Sequence, residues 1–325
     1  MTTPTADPIR ELRALLTEGR YREVLDRFEA APPDWSAREP GVGLAVATAA
    51  TRLGQLDRAE DLAVSVLASF RANADDDGRL RAQNLLGAIW YERGRLSEAA
   101  EYWRQALELG RALGDTLMVA RASNNLALAN HLQGHVEPAR SGFREALLSY
   151  QRMADRRGMA EACHNLAICS RHEGDLTGAE DLEIEAVRHA EVVGDPVLLA
   201  LMVAGRAETL VQLRDYALAQ ETLDRALALA GPAGDELGLA EIERVRAERW
   251  LRLGDAAAAL AAAERGRVMA ERHDSALLRG ECAAIGYRAA RRLGRPPDAD
   301  RYRTEAEAVF IALGALVYLA RLRED

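Results

Sequence analysis

The chain has 325 residues, a net charge of −9, 49% hydrophobic residues and only 5% aromatic ones. That acidic balance argues against non-specific nucleic-acid binding. No apolar run approaches the eighteen residues of a membrane span, and with so few aromatics burial depends on Ala, Leu and Val.

In chain order, residues 1–6 are expected to be disordered. Asp7-Pro8 reads as an N-cap followed by proline at the first helical position. A turn at Gly19, with Val24 five residues on, predicts a divergent N-terminal helical hairpin over 7–38. Ala31-Pro32-Pro33-Asp34-Trp35 reads as a loop. A second hairpin is expected from Pro40 to Ala72 with its turn at Gly54, followed by a polar loop from Asn73 to Gly78. Further hairpins are expected to turn at Gly94, Gly134, Gly174, Arg214, Gly254 and Gly294. Arg214 stands where an αL-tolerant residue is missing, so a different turn is expected there. Ala315 to Arg323 reads as a last helix closing the apolar end of the stack, with Arg321, Arg323, Glu324 and Asp325 facing water.

These turns fall on one period of forty residues, as Gly94, Gly134 and Gly174 show. Five residues past each turn stands an alanine: Ala59, Ala99, Ala139, Ala179, Ala219, Ala259 and Ala299. Seven further on come Ala106, Ala146, Ala186, Ala226, Gly266 and Ala306. Small side chains there let neighbouring helices approach, and larger ones would overpack the seam. Asp75, Asp115, Asp155, Asp195 and Asp235 precede successive hairpins, where a carboxylate accepts from free backbone N–H groups and complements the helix dipole. Several columns holding one period identify a repeat, and each repeat must bury its apolar stripes against copies of itself.

Asn125-Leu126-Ala127 with Gly134, Ala139, Phe143 and Ala146 resembles the tetratricopeptide repeat (TPR), as does Leu86-Gly87 with Trp90, Gly94, Ala99, Trp103 and Ala106. The forty-residue length, against about 34 in the common form, is similar to the extended-repeat branch that includes GoLoco-binding polarity scaffolds and bacterial helical-repeat regulators. The resemblance implies an all-α, right-handed superhelical solenoid of about eight hairpins, those over 39–314 being the repeats of period forty, plus a C-terminal capping helix over 315–325. It also implies a concave groove, lined by the first helix of each hairpin, that binds an extended peptide or a helix. Carried onto this sequence, the groove positions are Arg81, Asn84 and Tyr91 in the third hairpin, and Arg121, Asn124, Asn125 and His131 in the fourth. In the fifth they are Glu161, His164, Asn165, Arg171 and His172. The sixth has Gly205 where Asn is expected, which interrupts the set.

The asparagines are the sharpest feature. An Asn side chain can donate to a peptide C=O and accept from its N–H, reading backbone without demanding a sequence. Asn also opposes helix formation. The structural alternative is that Asn125 and Asn165 hydrogen-bond to neighbouring helices. His131, His164 and His172 lack metal-ligand spacing and read as exposed polar groove residues. Cys163, Cys169 and Cys282 form no CxxC pair and read as small apolar fillers of a reducing cytoplasm. Arg288, Arg291, Arg292 and Arg295 form a basic run that reads as a solvated face or an anion-binding patch. No phosphate loop, GxSxG or Cys–His nucleophile pattern occurs. The expectation is therefore a cytoplasmic, non-enzymatic scaffold without cofactor or metal, binding a protein or peptide rather than nucleic acid or membrane. The alternative is a sensing subunit that controls a separate kinase, ATPase or transcription factor.

Overall fold

The computed structural model describes residues 8–17 and 20–324, so the expectations for residues 1–6, Asp7, Gly19 and Asp325 lie outside it. The described residues form helices α1 (Pro8–Thr17), α2 (Tyr21–Glu29), α3 (Trp35–Arg38), α4 (Pro40–Arg52), α5 (Leu56–Ala72), α6 (Asp76–Glu92), α7 (Leu96–Leu113), α8 (Thr116–Leu132) and α9 (Val136–Met153). These are followed by α10 (Arg156–Glu173), α11 (Leu176–Val193), α12 (Pro196–Gln212), α13 (Tyr216–Ala233), α14 (Glu236–Leu253), α15 (Ala256–Arg272), α16 (Ala276–Arg292), α17 (Pro296–Leu313) and α18 (Leu316–Glu324). Two readings at loops are corrected. The segment after Ala31 contains the helical turn α3, and the loop after Asn73 ends at Asp75, with Asp76–Gly78 already in the first turn of α6.

The columns have the physical roles their residue types suggest. The glycine turns take left-handed backbone, from φ +66° at Gly294 to +89° at Gly254. Arg214 takes it too, at φ +65°. Its N–H donates to Val211 O at 3.2 Å and that of Asp215 to Leu210 O at 3.0 Å, the pattern found at Gly174. The expectation of a different turn at Arg214 is therefore corrected: the surrounding hairpin imposes the same turn on a residue that opposes it. The Asp75 carboxylate accepts from Gly78 N at 2.8 Å, Asp155 from Gly158 N at 3.1 Å and Asp235 from Gly238 N at 2.9 Å. A second set does the same for second helices: Asp175 accepts from Gly178 N at 3.0 Å, Asp215 from Leu218 N at 3.1 Å and Asp255 from Ala258 N at 2.9 Å. The alanines at 59, 99, 139, 179, 219 and 259 are fully buried. At Gly266 an added Cβ would stand 2.9 Å from Cys282 Sγ and 3.1 Å from Ala240 O, so the glycine in the alanine column marks a tighter seam.

Two compact units divide the chain, residues 1–125 and 126–325. In the first, α1, α2 and α3 pack on α4, and α4 to α7 continue as hairpins around a core of Val46, Val66, Phe70, Leu86 and Ile89. In the second, each first helix packs on the second helices before and after it. The first helices α10, α12, α14 and α16 also pack on one another in succession. That extra contact places the row of first helices on the inside of the bend of this unit. Its core is divided among successive layers, from Phe143 and Leu166 through Met202 and Leu223 to Tyr302 and Phe310.

Candidate functional site

In the first unit the inner row is polar and only partly covered. Gly87 lets α7 approach α6, since an added Cβ would stand 2.4 Å from Trp103 Nε1. The indole N–H donates to Asn84 O at 3.1 Å and the ring lies 5.8 Å from that of Tyr91, so the aromatic pair holds this face of α6 in place. Asn125 Nδ2 donates to Asn84 Oδ1 at 3.4 Å, a long bond between successive first helices. The interhelical alternative for Asn125 is thus realised, while both side chains remain half-buried. Arg121 is exposed. Arg81 is bound by Asp77 at 2.9 and 3.0 Å, which raises its pKa. Asn124 is 8% exposed, so its expected place in an open groove is corrected: it faces the helical interior.

In the second unit the inner row carries an ion ladder. Arg171 of α10 donates to Glu183 Oε1 at 2.7 Å, Glu208 Oε2 at 3.0 Å and Thr209 Oγ1 at 3.1 Å. Glu208 of α12 also receives both terminal nitrogens of Arg244 from α14, at 3.2 and 2.8 Å. Arg244 in turn bonds Glu241 at 2.5 Å and lies 3.7 Å from Glu281 of α16. Successive first helices therefore present Arg, Glu, Arg and Glu to one another. Burial raises the Glu208 pKa, but Arg171 and Arg244 outweigh it and hold the carboxyl well below its usual range. Glu281, at the ladder's end, is pushed up to about 7 by burial.

Three predicted groove residues are absorbed by this interior. Arg171 is 6% exposed and committed to the ladder. His164 Nδ1 lies 3.1 Å from Glu183 Oε2, and its ring packs over Gly205, where an added Cβ would stand 2.4 Å from His164 Cε1. Gly205 thus replaces the expected Asn because the His164–Glu183–Arg171 group occupies its space. His131 is 2% exposed, which corrects its reading as an exposed residue. It stacks on His172 with ring centroids 4.5 Å apart. Burial, then the charge of Arg321, lowers His131 to about 4 and His172 to about 2. Glu161 and Asn165 are half-buried.

Sequence reasoning missed α18 as part of this face. Tyr318 lies 5.4 Å from Phe310 on one side and edge-on to His172 at 6.1 Å on the other. Val317 Cγ2 lies 3.8 Å from the position a Cβ on Gly134 would take. The signal was present in the Tyr318-Leu319-x-Arg321-Leu322 pattern, whose apolar and aromatic residues exceed what one neighbouring helix covers.

No group of three His, Cys, Asp or Glu among the described residues could hold a metal ion. Burial pushes Cys163 and Cys169 up to about 12, leaving inert thiols. In the basic run, Arg288 bonds Glu248 at 2.8 Å, Arg291 bonds Tyr287 Oη at 3.3 Å and Arg292 bonds Leu251 O. No helix among the described residues is long and apolar enough to cross a membrane.

No protein-family model matches the chain, and no curated protein matches it. Solved structures do. A Rap protein complexed with competence and sporulation factor is similar with a TM-score of 0.79 at 14% identity, over 96% of this chain and 88% of that one. NprR in complex with its cognate peptide NprX is similar at 0.65 and 13% identity, over 97% of each chain. A signal-transduction ATPase with a tetratricopeptide repeat sensor from Pyrococcus horikoshii is similar at 0.57 and 13% identity, over 95% of this chain and 48% of that one. At such identities the likeness shows the fold: a helical-repeat solenoid of the TPR kind.

Proposed function

We propose that this chain is a non-catalytic TPR-type regulator that binds a peptide or protein segment on its row of first helices. The observation that carries this reading is the half-buried Asn84–Asn125 pair. Its 3.4 Å bond leaves Asn84 Nδ2 as a donor and Asn125 Oδ1 as an acceptor on a face that also presents exposed Arg121. An adjacent donor and acceptor match the C=O and N–H of a peptide backbone. The Arg121 guanidinium adds a fork for a carboxylate or carbonyl. Likeness to structures of NprR with NprX and of Rap with its factor supports the same reading.

The test is a peptide array probed with the intact chain, followed by titration of the selected peptides with a variant carrying Asn84→Ala, Arg121→Ala and Asn125→Ala. At least tenfold weaker binding with unchanged helicity is expected. Unchanged affinity would overturn the assignment to this face.

A sensing subunit for a separate effector is favoured by one observation, the ladder that ties α10, α12, α14 and α16 together. A ligand that shifts one rung acts on the next helix. Scattering should then show the radius of gyration changing on peptide binding, whereas a rigid adaptor would leave it constant.

A further inference from the structure

We propose that α18 is a built-in occupant of the inner row of the second unit, a pseudo-ligand that must leave before an external helical segment can bind there. This inference rests on the peptide-binding reading only for the nature of the competitor. The seat itself rests on geometry.

Leu319 and Leu322 of α18 are buried at 7% and 3% exposure beside Phe310, as a solenoid cap requires. A cap needs no more. Yet this nine-residue helix also reaches elements far back in the repeat order. Tyr318 meets His172 of α10, and Val317 meets the α8–α9 turn at Gly134. The helix therefore touches a first helix, α10, as a bound segment would.

The seat is incompletely satisfied by its occupant. His131 Nε2 and His172 Nδ1 are buried and make no hydrogen bond in the structure. An occupant matched to this wall would offer them partners, because buried unpaired polar atoms retain their desolvation cost. The wall is also acidic: Glu208, Glu241 and Glu281 face only Arg171 and Arg244 within the ladder. Arg321 brings a cation from α18 whose field reaches Glu281 and both histidines. The segment that fits is an amphipathic helix with an aromatic residue and an arginine three positions later, the spacing of Tyr318 and Arg321.

Displacement gives up the burial of Leu319 and Leu322, which the apolar face of an incoming helix would restore. A helix of nine residues is marginal without its contacts. It is joined to α17 through Gly314 at φ +65°, a single left-handed residue able to serve as a hinge.

The probe is a fluorescein-labelled peptide of residues 315–325, titrated into the full chain, the full chain carrying Tyr318→Ala, and a chain ending at Gly314. The peptide should bind the shortened chain at least tenfold more tightly than the full chain, with Tyr318→Ala in between. Equal affinity for the full and shortened chains, or no binding to a shortened chain that melts cooperatively, would overturn the proposal. If the shortened chain does not fold, the Tyr318→Ala comparison decides: tighter binding than to the unaltered chain supports the seat, and unchanged binding refutes it. The Asn84, Arg121 and Asn125 substitutions should leave this probe's affinity unchanged, so failure here is distinguishable from failure of the first-unit site.

Discussion

Tyr318 meets His172 edge to face, with ring centroids 6.1 Å apart, although the helix that precedes α18 in the chain is α17 and His172 belongs to α10. A helix expected merely to close an apolar end also leans on the polar inner row, and this contact links the architecture of the second unit to its proposed regulation.

The ion ladder should be essential as a whole and replaceable as a whole. Arg171→Met leaves the fully buried Glu183 with one charged partner fewer. Breaking such a pair costs about 3–5 kcal/mol, whereas replacing both members by apolar residues is often neutral. Urea denaturation should show that loss for Arg171→Met and recovery of more than half of it on adding Glu183→Leu. A small effect of the single substitution would contradict the ladder's role.

Glu281 sets a pH dependence. Its folded pKa, about 7, lies above the usual carboxylate value, so the folded state binds the proton more tightly than the unfolded state. Its favourable contribution is complete below about pH 4.5 and is lost as pH rises through about 7. Glu281→Gln cannot ionise, so its stability relative to the unaltered chain should rise by about 1–3 kcal/mol between pH 5 and pH 8. Denaturation at both pH values measures it, and a constant difference would refute the assignment.

Arg214 holds φ +65° only because the flanking hairpin imposes it. Arg214→Gly should stabilise the protein by about 1 kcal/mol by relieving the left-handed strain. A lower thermal midpoint would show that the arginine side chain contributes more than its backbone costs.

Gly205 makes room for the His164–Glu183 contact. In Gly205→Ala the new methyl would stand 2.4 Å from His164 Cε1 and 3.0 Å from Glu183 Oε1, for an expected loss of about 1–3 kcal/mol. Gly205→Ala in a chain already carrying His164→Ala is the control and should cost less than half as much, because the crowded ring is gone. Comparable effects in both backgrounds would remove the packing explanation.

The hairpins, their turns and their buried alanine seams were legible in the sequence because backbone punctuation and small-residue spacing are local and periodic. The Asp175, Asp215 and Asp255 caps share that period and could have been found with the first aspartate column. Side-chain fate was less legible. Arg121 and Asn125 remain on the open face, but Arg171 and His164 turn inward, because their acidic partners come from other helices and no single-helix pattern announces such pairings. His131 failed as an exposed residue for the same reason: the His172 ring that stacks on it comes from α10.

The central claim is that first helices are the binding face, and hydrogen–deuterium exchange of the chain saturated with an array-selected peptide tests it most directly. The account predicts slowed exchange in residues 81–91 of α6 and 121–125 of α8, with α7 unchanged. Protection confined to α5 and α7, with the first helices unaffected, would contradict it.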